Sequence, residues 1–330
     1  MMRNLLKKKI LLFAPSFFDY EKEIVLKLEQ MGASVDYYEE RPAIDFFTRL
    51  CIKLSKDLLK RKIKSYYHNI LQKICTTEYD IVLIVNIDAM TVSVLEKLKY
   101  QQKNARFILY MWDSLKRKKN ILDTLPLFDK ILSFDKIDAE QHNIEFRPLF
   151  FLDQYSQLSR STITDIDLCF IGSVHSDRFD FLKKVQIQSE KLGFRCYFFM
   201  FFYSPILFWI KKIWDKNFRT VKINDFQFRP LSKNEILNTI CNSKVILDIQ
   251  HPHQTGLTMR SIEMLGAQKK IITTNQHIKE YDFYNENNIS VIDRVSPTVD
   301  ACFFSSPYHQ IDENIYKKYS IESWINDILT

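Results

Sequence analysis

Arg260 and Glu263 stand three residues apart just after a loop, Thr255, Gly256 and Leu257, that gives way to an apolar pattern of helical spacing. Positions i and i+3 share a helix face, so the guanidinium and the carboxylate sit together near the start of that helix. A helix start offers backbone N–H groups and a partial positive charge. A glycine lets a ligand approach the main chain closely, and arginine binds phosphate oxygens in pairs. This combination suits a phosphate. A second loop of the same make follows an apolar run in CFIGSVHSDRF, where Gly172 precedes His175 and Arg178. Two such loops in one half of the chain point to a phosphorylated ligand. The competing reading is a tight turn at Gly256 with Arg260 as a surface residue.

The first half offers carboxylates instead. Asp88 closes the run VNIDAM, and Trp112 and Asp113 close YMWDSLK. A carboxylate at the end of a strand can take a proton from a hydroxyl group. Equally, Asp113 can cap the following helix, Asp88 can be structural, and Trp112 can stack on a sugar or fill a core. Several chemistries are not expected. There is no G-x-G-x-x-G for a dinucleotide and no G-x-x-x-x-G-K-[ST] for a nucleoside triphosphate. The pair Asp165 and Asp167 leads into a strand rather than following one. None of the six cysteines forms a C-x-x-C pair, so neither a zinc site nor a redox motif is expected. The expectation is therefore no metal site. The scattered cysteines read as buried thiols of a reducing cytoplasm.

The elements that would hold these groups alternate. KILLFAP, with a strand at Lys9–Ala14, leads to the helical YEKEIVLKLEQMG, then to ASVDYYEE, YDIVLIVNID, ARFILYMWD and FDKILSFD. A second series begins near Asp165 and runs through DIDLCFIGSV, CYFFMF, KVILDIQ, KKIITTN and ISVID. Near-continuous apolar strands belong to parallel sheets covered on both faces. The reading is a doubly wound α/β protein, whose ligands bind at the carboxyl ends of the strands. The polar, aperiodic Gln154–Asp165 stretch marks a join. It gives domains 1–155 and 156–330, the C-terminal helix included in the second. Gly32, Gly193 and Gly266 fall where helices give way to strands and read as left-handed caps.

Hydrophobic residues at 46% and charged residues at 26% fit a globular protein of two cores. The net charge of +7 is uneven: residues 1–150 carry 26 basic against 20 acidic side chains, and the rest are nearly balanced. The excess is a solvated face, or it meets an anionic membrane or an anionic acceptor. No nucleic-acid motif accompanies it, so nucleic acid is not an expected partner. Two segments interrupt the α/β rhythm. Residues 44–75 set Phe46, Phe47, Leu50, Leu54 and Leu58 near one helix face among Lys53, Lys56, Lys60, Arg61, Lys62 and Lys64. Residues 196–218 are aromatic. Their first part reads as a buried strand, and 206–218 as a core helix or one resting on a membrane surface.

QTGLTMRSIEMLGAQKKIITTN, followed by YDFYNENNISVID, resembles the donor half of bacterial GT-B glycosyltransferases of lipopolysaccharide and capsule assembly. LYMWDSLK, FDKILSFDKIDAE and RPLFF are similar to the other half. The resemblance implies two Rossmann-like domains facing across a cleft, with a nucleotide-sugar on the C-terminal domain and a glycan or lipid-linked acceptor on the N-terminal one. It implies sugar transfer without metal or other cofactor, in the cytoplasm or at the inner face of its membrane. Glu263 would hold the ribose hydroxyls, and Arg260 or Arg178 the diphosphate. Gly172, His175, Thr255, Gly256 and Leu257 would line the donor site, with Asp113 or Asp88 as base. Many retaining members carry a glutamate where this chain has Thr255. The alternatives are a nucleotide-sugar epimerase or hydrolase on the same fold, and a non-catalytic partner in glycan assembly.

Overall fold

The computed structural model describes residues 5–43, 59–118, 121–158, 165–174, 178–215, 218, 221–252 and 254–330. The chain forms two compact units, Met1–Phe150 with Lys318–Thr330, and Phe151–Lys317.

The first unit is a parallel sheet of β1 (Lys9–Ala14), β2 (Ser34–Glu39), β3 (Ile81–Val85), β4 (Arg106–Met111), β5 (Lys130–Ser133) and β6 (Glu145–Phe146). Its order is β2-β1-β3-β4-β5-β6. The central strands are the apolar runs of the sequence: Ile10–Ala14, Val82–Val85 and Phe107–Met111 are buried. The helices are α1 (Tyr20–Gln30), α2 (Lys60–Lys73), α3 (Val92–Gln101) and α4 (Lys136–His142). Strand order reverses between β1 and β3, which opens a crevice at their carboxyl ends.

The second unit contains, in chain order, α5 (Asp153–Ser156), β7 (Ile166–Ser173), α6 (Arg178–Lys191), β8 (Cys196–Phe201), α7 (Pro205–Trp214), α8 (Lys233–Cys241), β9 (Ser243–Asp248), α9 (Met259–Gly266), β10 (Lys270–Thr273), β11 (Ile289–Val291), α10 (Ala301–Ser305) and α11 (Glu313–Lys318). Its parallel sheet has the order β11-β10-β9-β7-β8, with the reversal between β7 and β9. Both doubly wound sheets agree with the sequence reading.

Four expectations need correction. The division falls after Phe150 rather than after residue 155, and the C-terminal helix α12 (Ile321–Leu329) belongs to the first unit. The apolar face of α12 explains this. Trp324 is fully buried, with its ring 4.3 Å from that of Phe150 and edge-on to Tyr110 at 4.9 Å. Arg147 adds an ion pair to Asp327 at 2.8 Å. Second, β8 is half-buried rather than a core strand, because it is the last strand of the sheet, paired with β7 on one side and meeting an isolated bridge at Gln227 on the other. Third, Gly32 and Gly193 adopt positive φ as expected, but Gly266 does not; the left-handed position after α9 is Gln268. Gly266 is required by packing, since a Cβ there would lie 2.5 Å from Cγ of Phe151. Fourth, of the described cysteines only Cys169 is buried, while Cys75 and Cys302 are exposed. The expected apolar face of residues 44–58 lies outside the described residues.

Candidate functional site

In the second unit the β7/β9 reversal gathers most of the residues singled out from the sequence. Helix α9 begins beyond Thr258, whose hydroxyl accepts the N–H of Ser261. Arg260 Nη1 lies 2.9 Å from Glu263 Oε2, one turn along, and the two side chains are 19% and 7% exposed. The expected neighbours are therefore a nearly buried ion pair. Tyr155, on α5, is buried against both. Burial, then the negative charge of Glu263, holds its phenol far above the usual range, with Arg260 pulling the other way. Tyr155 thus favours its neutral hydroxyl and packs against the carboxylate and guanidinium from a separate helix.

The start of α9 is built around Asp248, the last residue of β9. Its Oδ2 accepts the hydroxyls of Thr258 at 2.7 Å and Ser261 at 2.8 Å. Burial raises the Asp248 pKa; these two hydroxyls and the nearby charges of Arg178 and Arg260 oppose the shift. The preceding loop is tied from the next strand end, where Asn275 Nδ2 donates to the carbonyls of Thr255 at 3.1 Å and Gly256 at 3.4 Å. Gly256 and Leu257 are buried. Arg178 starts α6 and donates to the carbonyls of Ser173 at 3.0 Å and Ile249 at 2.6 Å. It clasps the ends of β7 and β9, a structural duty the sequence does not reveal. Gly172 is the penultimate residue of β7, and a Cβ there would meet the ring of Phe170 at 2.9 Å. His175 lies outside the described residues.

Asp165 and Asp167 sit at the other end of β7. Asp167 is engaged by Lys244 at 2.7 Å and Arg195 at 3.3 Å, far along the strand from this loop cluster. Among the described residues no cluster of His, Cys, Asp and Glu has the make-up of a metal site.

In the first unit, Asp88 and Asp113 come together although 25 positions separate them. Lys118 Nζ bridges them, touching Asp88 and lying 3.1 Å from Asp113. Asn86 Nδ2 reaches Asp88 at 3.4 Å and Asp113 at 3.3 Å. Asn86 holds this position in a left-handed conformation, φ 61°, which asparagine tolerates better than most residues. Burial works against the Lys118 ammonium, but the charges of Asp88 and Asp113 outweigh it and its pKa stands above the usual lysine value. Asp113 is half-exposed, with 47% of its side chain accessible, against 20% for Asp88. Asp113 does not cap the following turn. That duty falls to Asp138 of α4, which accepts the N–H of Leu115 at 2.6 Å.

The Asp88 loop is anchored by a fully buried glutamate that the sequence did not flag. Glu40 accepts the N–H groups of Ala89 at 2.8 Å and Met90 at 2.7 Å, and its carbonyl accepts the hydroxyl of Tyr67. Next to it, Glu39 pairs with Arg41 at 2.9 Å and accepts the N–H of Ser16. An aromatic rim lies at the same strand ends. Trp112 is half-buried 6.2 Å from Phe17, and Phe17 and Phe18 are 46% and 69% exposed. Half-exposed Asp113 beside these rings suits a polyhydroxylated ligand, because the rings can cover its C–H faces and the carboxylate can accept a hydroxyl.

No protein-family model matches the chain, and no curated protein matches it. Solved structures do. The chain is similar to Anabaena HepE in complex with UDP and glucose at TM-score 0.63 and 9% identity, over 98% of each chain. It is similar to a glycosyltransferase from Rickettsia africae at TM-score 0.59 and 13% identity, over 98% of this chain and 97% of that one. It is also similar to the UDP-GlcNAc 2-epimerase of Methanocaldococcus jannaschii at TM-score 0.56 and 11% identity, over 98% and 99%. Likeness at such low identity speaks to architecture. With two parallel-sheet, Rossmann-like units and these neighbours, the chain has the GT-B fold, the fold of glycosyltransferases that use UDP-sugars and of a UDP-sugar epimerase.

Proposed function

We propose that the chain is a glycosyltransferase that moves a sugar from a nucleotide-sugar to a glycan or lipid-linked acceptor in cell-surface polysaccharide assembly. The observation that carries this reading is the Arg260–Glu263 pair, braced by Tyr155 at the start of α9, at the strand reversal of a GT-B domain. In this reading Glu263 accepts the ribose hydroxyls. Arg260 and the positive end of α9 meet the diphosphate and stabilise the charge that develops as it leaves. Stabilisation by fixed cationic groups makes a metal unnecessary, so transfer is expected to survive EDTA. Asp113 is the better candidate of the two carboxylates to take the acceptor's proton, because Asp88 is the more enclosed partner of Lys118. Trp112, Phe17 and Phe18 offer the acceptor sugar an apolar face.

Titration calorimetry with UDP, GDP, their sugar derivatives and a non-nucleotide diphosphate control tests the donor half. Binding of one nucleotide series that weakens in Arg260→Ala and partly recovers in Arg260→Lys is the expected result. Failure of every nucleotide to bind the folded protein overturns the reading.

The likeness to a UDP-GlcNAc 2-epimerase supports a second reading, a nucleotide-sugar epimerase. Turnover separates them: an epimerase converts the donor alone, whereas a transferase leaves it essentially intact until an acceptor is added.

A further inference from the structure

Helix α7 presents its apolar side to solvent. Ile206, Trp209, Ile210 and Ile213 fall at i, i+3, i+4 and i+7, one stripe of a helix. They are 72%, 53%, 48% and 70% exposed, and Trp214 beside them is 84% exposed. Tyr203, just before the helix, is 52% exposed. The opposite side of α7 is held to the core by Phe208, fully buried among Phe202, Phe218 and Phe226. The helix is thus anchored by Phe208 and, beside it, the partly buried Leu207, with its larger apolar face outward. This is the reverse of an ordinary surface helix, whose apolar stripe faces the core.

We propose that α7 is a membrane-contact element that lies flat in the headgroup region of an anionic lipid surface. The composition selects this occupant. Tryptophan and tyrosine favour the boundary between hydrocarbon and water, where one part of the ring system is apolar and another wet. At 3.6 residues per turn, Lys211 and Lys212 fall on opposite flanks between the exposed stripe and buried Phe208. Lys211 lies over the Phe218 ring at 4.4 Å, and Lys212 donates to the Val221 carbonyl at 2.8 Å. Both ammonium groups are held on the protein at the helix flanks, beside the exposed stripe rather than within it, and add positive charge next to a surface that would meet lipid phosphates. A second copy of the chain fits less well, because a two-fold interface sets each patch against itself and brings these lysines towards like charges. The helix is an interfacial element and not a span: among the described residues no helix is long and apolar enough to cross a membrane.

The basic helix α2 is the contrasting surface. Lys60, Arg61, Lys62 and Lys64 are exposed, while Ile63, Tyr67 and Ile70 face the core. It presents charge without an outward apolar stripe. The inference about α7 stands independently of any transferase activity.

Co-sedimentation of the full chain with phosphatidylcholine vesicles, with and without phosphatidylglycerol, provides the test. The expected result is binding to the anionic vesicles that weakens in high salt. It should fall about ten-fold or more in the Ile213→Glu, Trp214→Glu double variant, which places two charges on the inserted stripe. Both positions are exposed, so an unchanged melting temperature verifies the variant's fold. Wild-type protein that ignores anionic vesicles at low salt overturns the proposal. So does a double variant that binds as wild type, including the case where only Lys60, Arg61, Lys62 and Lys64→Gln abolishes binding. A wild-type dimer that becomes a monomer in the double variant, without vesicle binding, assigns the stripe to a second copy and equally overturns it.

Discussion

The strand-end clusters of the two units share a topology and differ in how their charges are held. In the second unit the pair is local: Arg260 and Glu263 belong to one helix turn, and the supports converge on that helix from β9, β10 and α5. In the first unit the carboxylates come from two loops, and Lys118 and Asn86 draw them together. The first arrangement is a charge-paired, hydrogen-bonded surface at a helix N-terminus, where the guanidinium and free N–H groups suit an anion. The second leaves Asp113 half-exposed beside a lysine, suited to moving a proton. Under the proposed function, a fold built twice from the same strand-reversal rule would bind at one reversal and move a proton at the other. The local chemistry after each strand decides which.

The most severe way to break this comparison is Asp113→Asn. If the first unit carries the proton transfer, turnover falls by about 100- to 10,000-fold. Nucleotide affinity, measured by calorimetry, stays unchanged. Equal loss of both would erase the division of labour. Next in size is Arg260→Ala, which should weaken nucleotide binding by roughly 1.5–3 kcal/mol, the range for a hydrogen bond to a charged group. Because Glu263 is nearly buried, the same change leaves its carboxylate without the ion pair and should lower the melting temperature. Arg260→Lys is therefore the companion variant that separates affinity from folding. Tyr155→Phe removes one neutral hydroxyl from the same cluster and should cost about 0.5–1.5 kcal/mol of stability, read from chemical denaturation.

A finer test uses pH. Asp248 has a folded pKa above its ordinary value of 3.8, so its contribution to stability is fully present below that value and fades as pH rises through the folded pKa. Asp248→Asn keeps a neutral acceptor for Thr258 and Ser261 and does not ionise. The stability of wild type relative to this variant should therefore decline as pH rises above about 4 and through the raised folded pKa. A difference independent of pH over that window would mean that Asp248 is already ionised in the folded state throughout.

Much of the fold was legible because its signals are local. Apolar runs such as Ile81–Val85 and Phe107–Met111 can only be buried in a sheet covered on both faces. Gly32 and Gly193 mark helix ends by a backbone requirement that depends on their immediate neighbours. The i, i+3 placement of Arg260 and Glu263 follows from helical geometry alone. Gly266 misled because the same residue type serves two purposes. Its lack of a side chain makes room for Phe151, a partner more than a hundred positions away in the chain.

By itself, then, the sequence determined what depends on neighbours in the chain: the alternation of strands and helices, the two doubly wound series, the loops that end their strands, and the charged types those loops carry. Tertiary structure alone decided what depends on distant positions meeting. It returned α12 to the first unit through Trp324, drew Asp88 and Asp113 to Lys118, set Glu40 under the Asp88 loop, placed Asp248 beneath the start of α9, and turned the aromatic stripe of α7 outward. The physical reason is the reach of each constraint. Dihedral preference and periodicity act over a few residues, whereas burial and ion pairing are settled only by which surfaces the completed fold brings into contact.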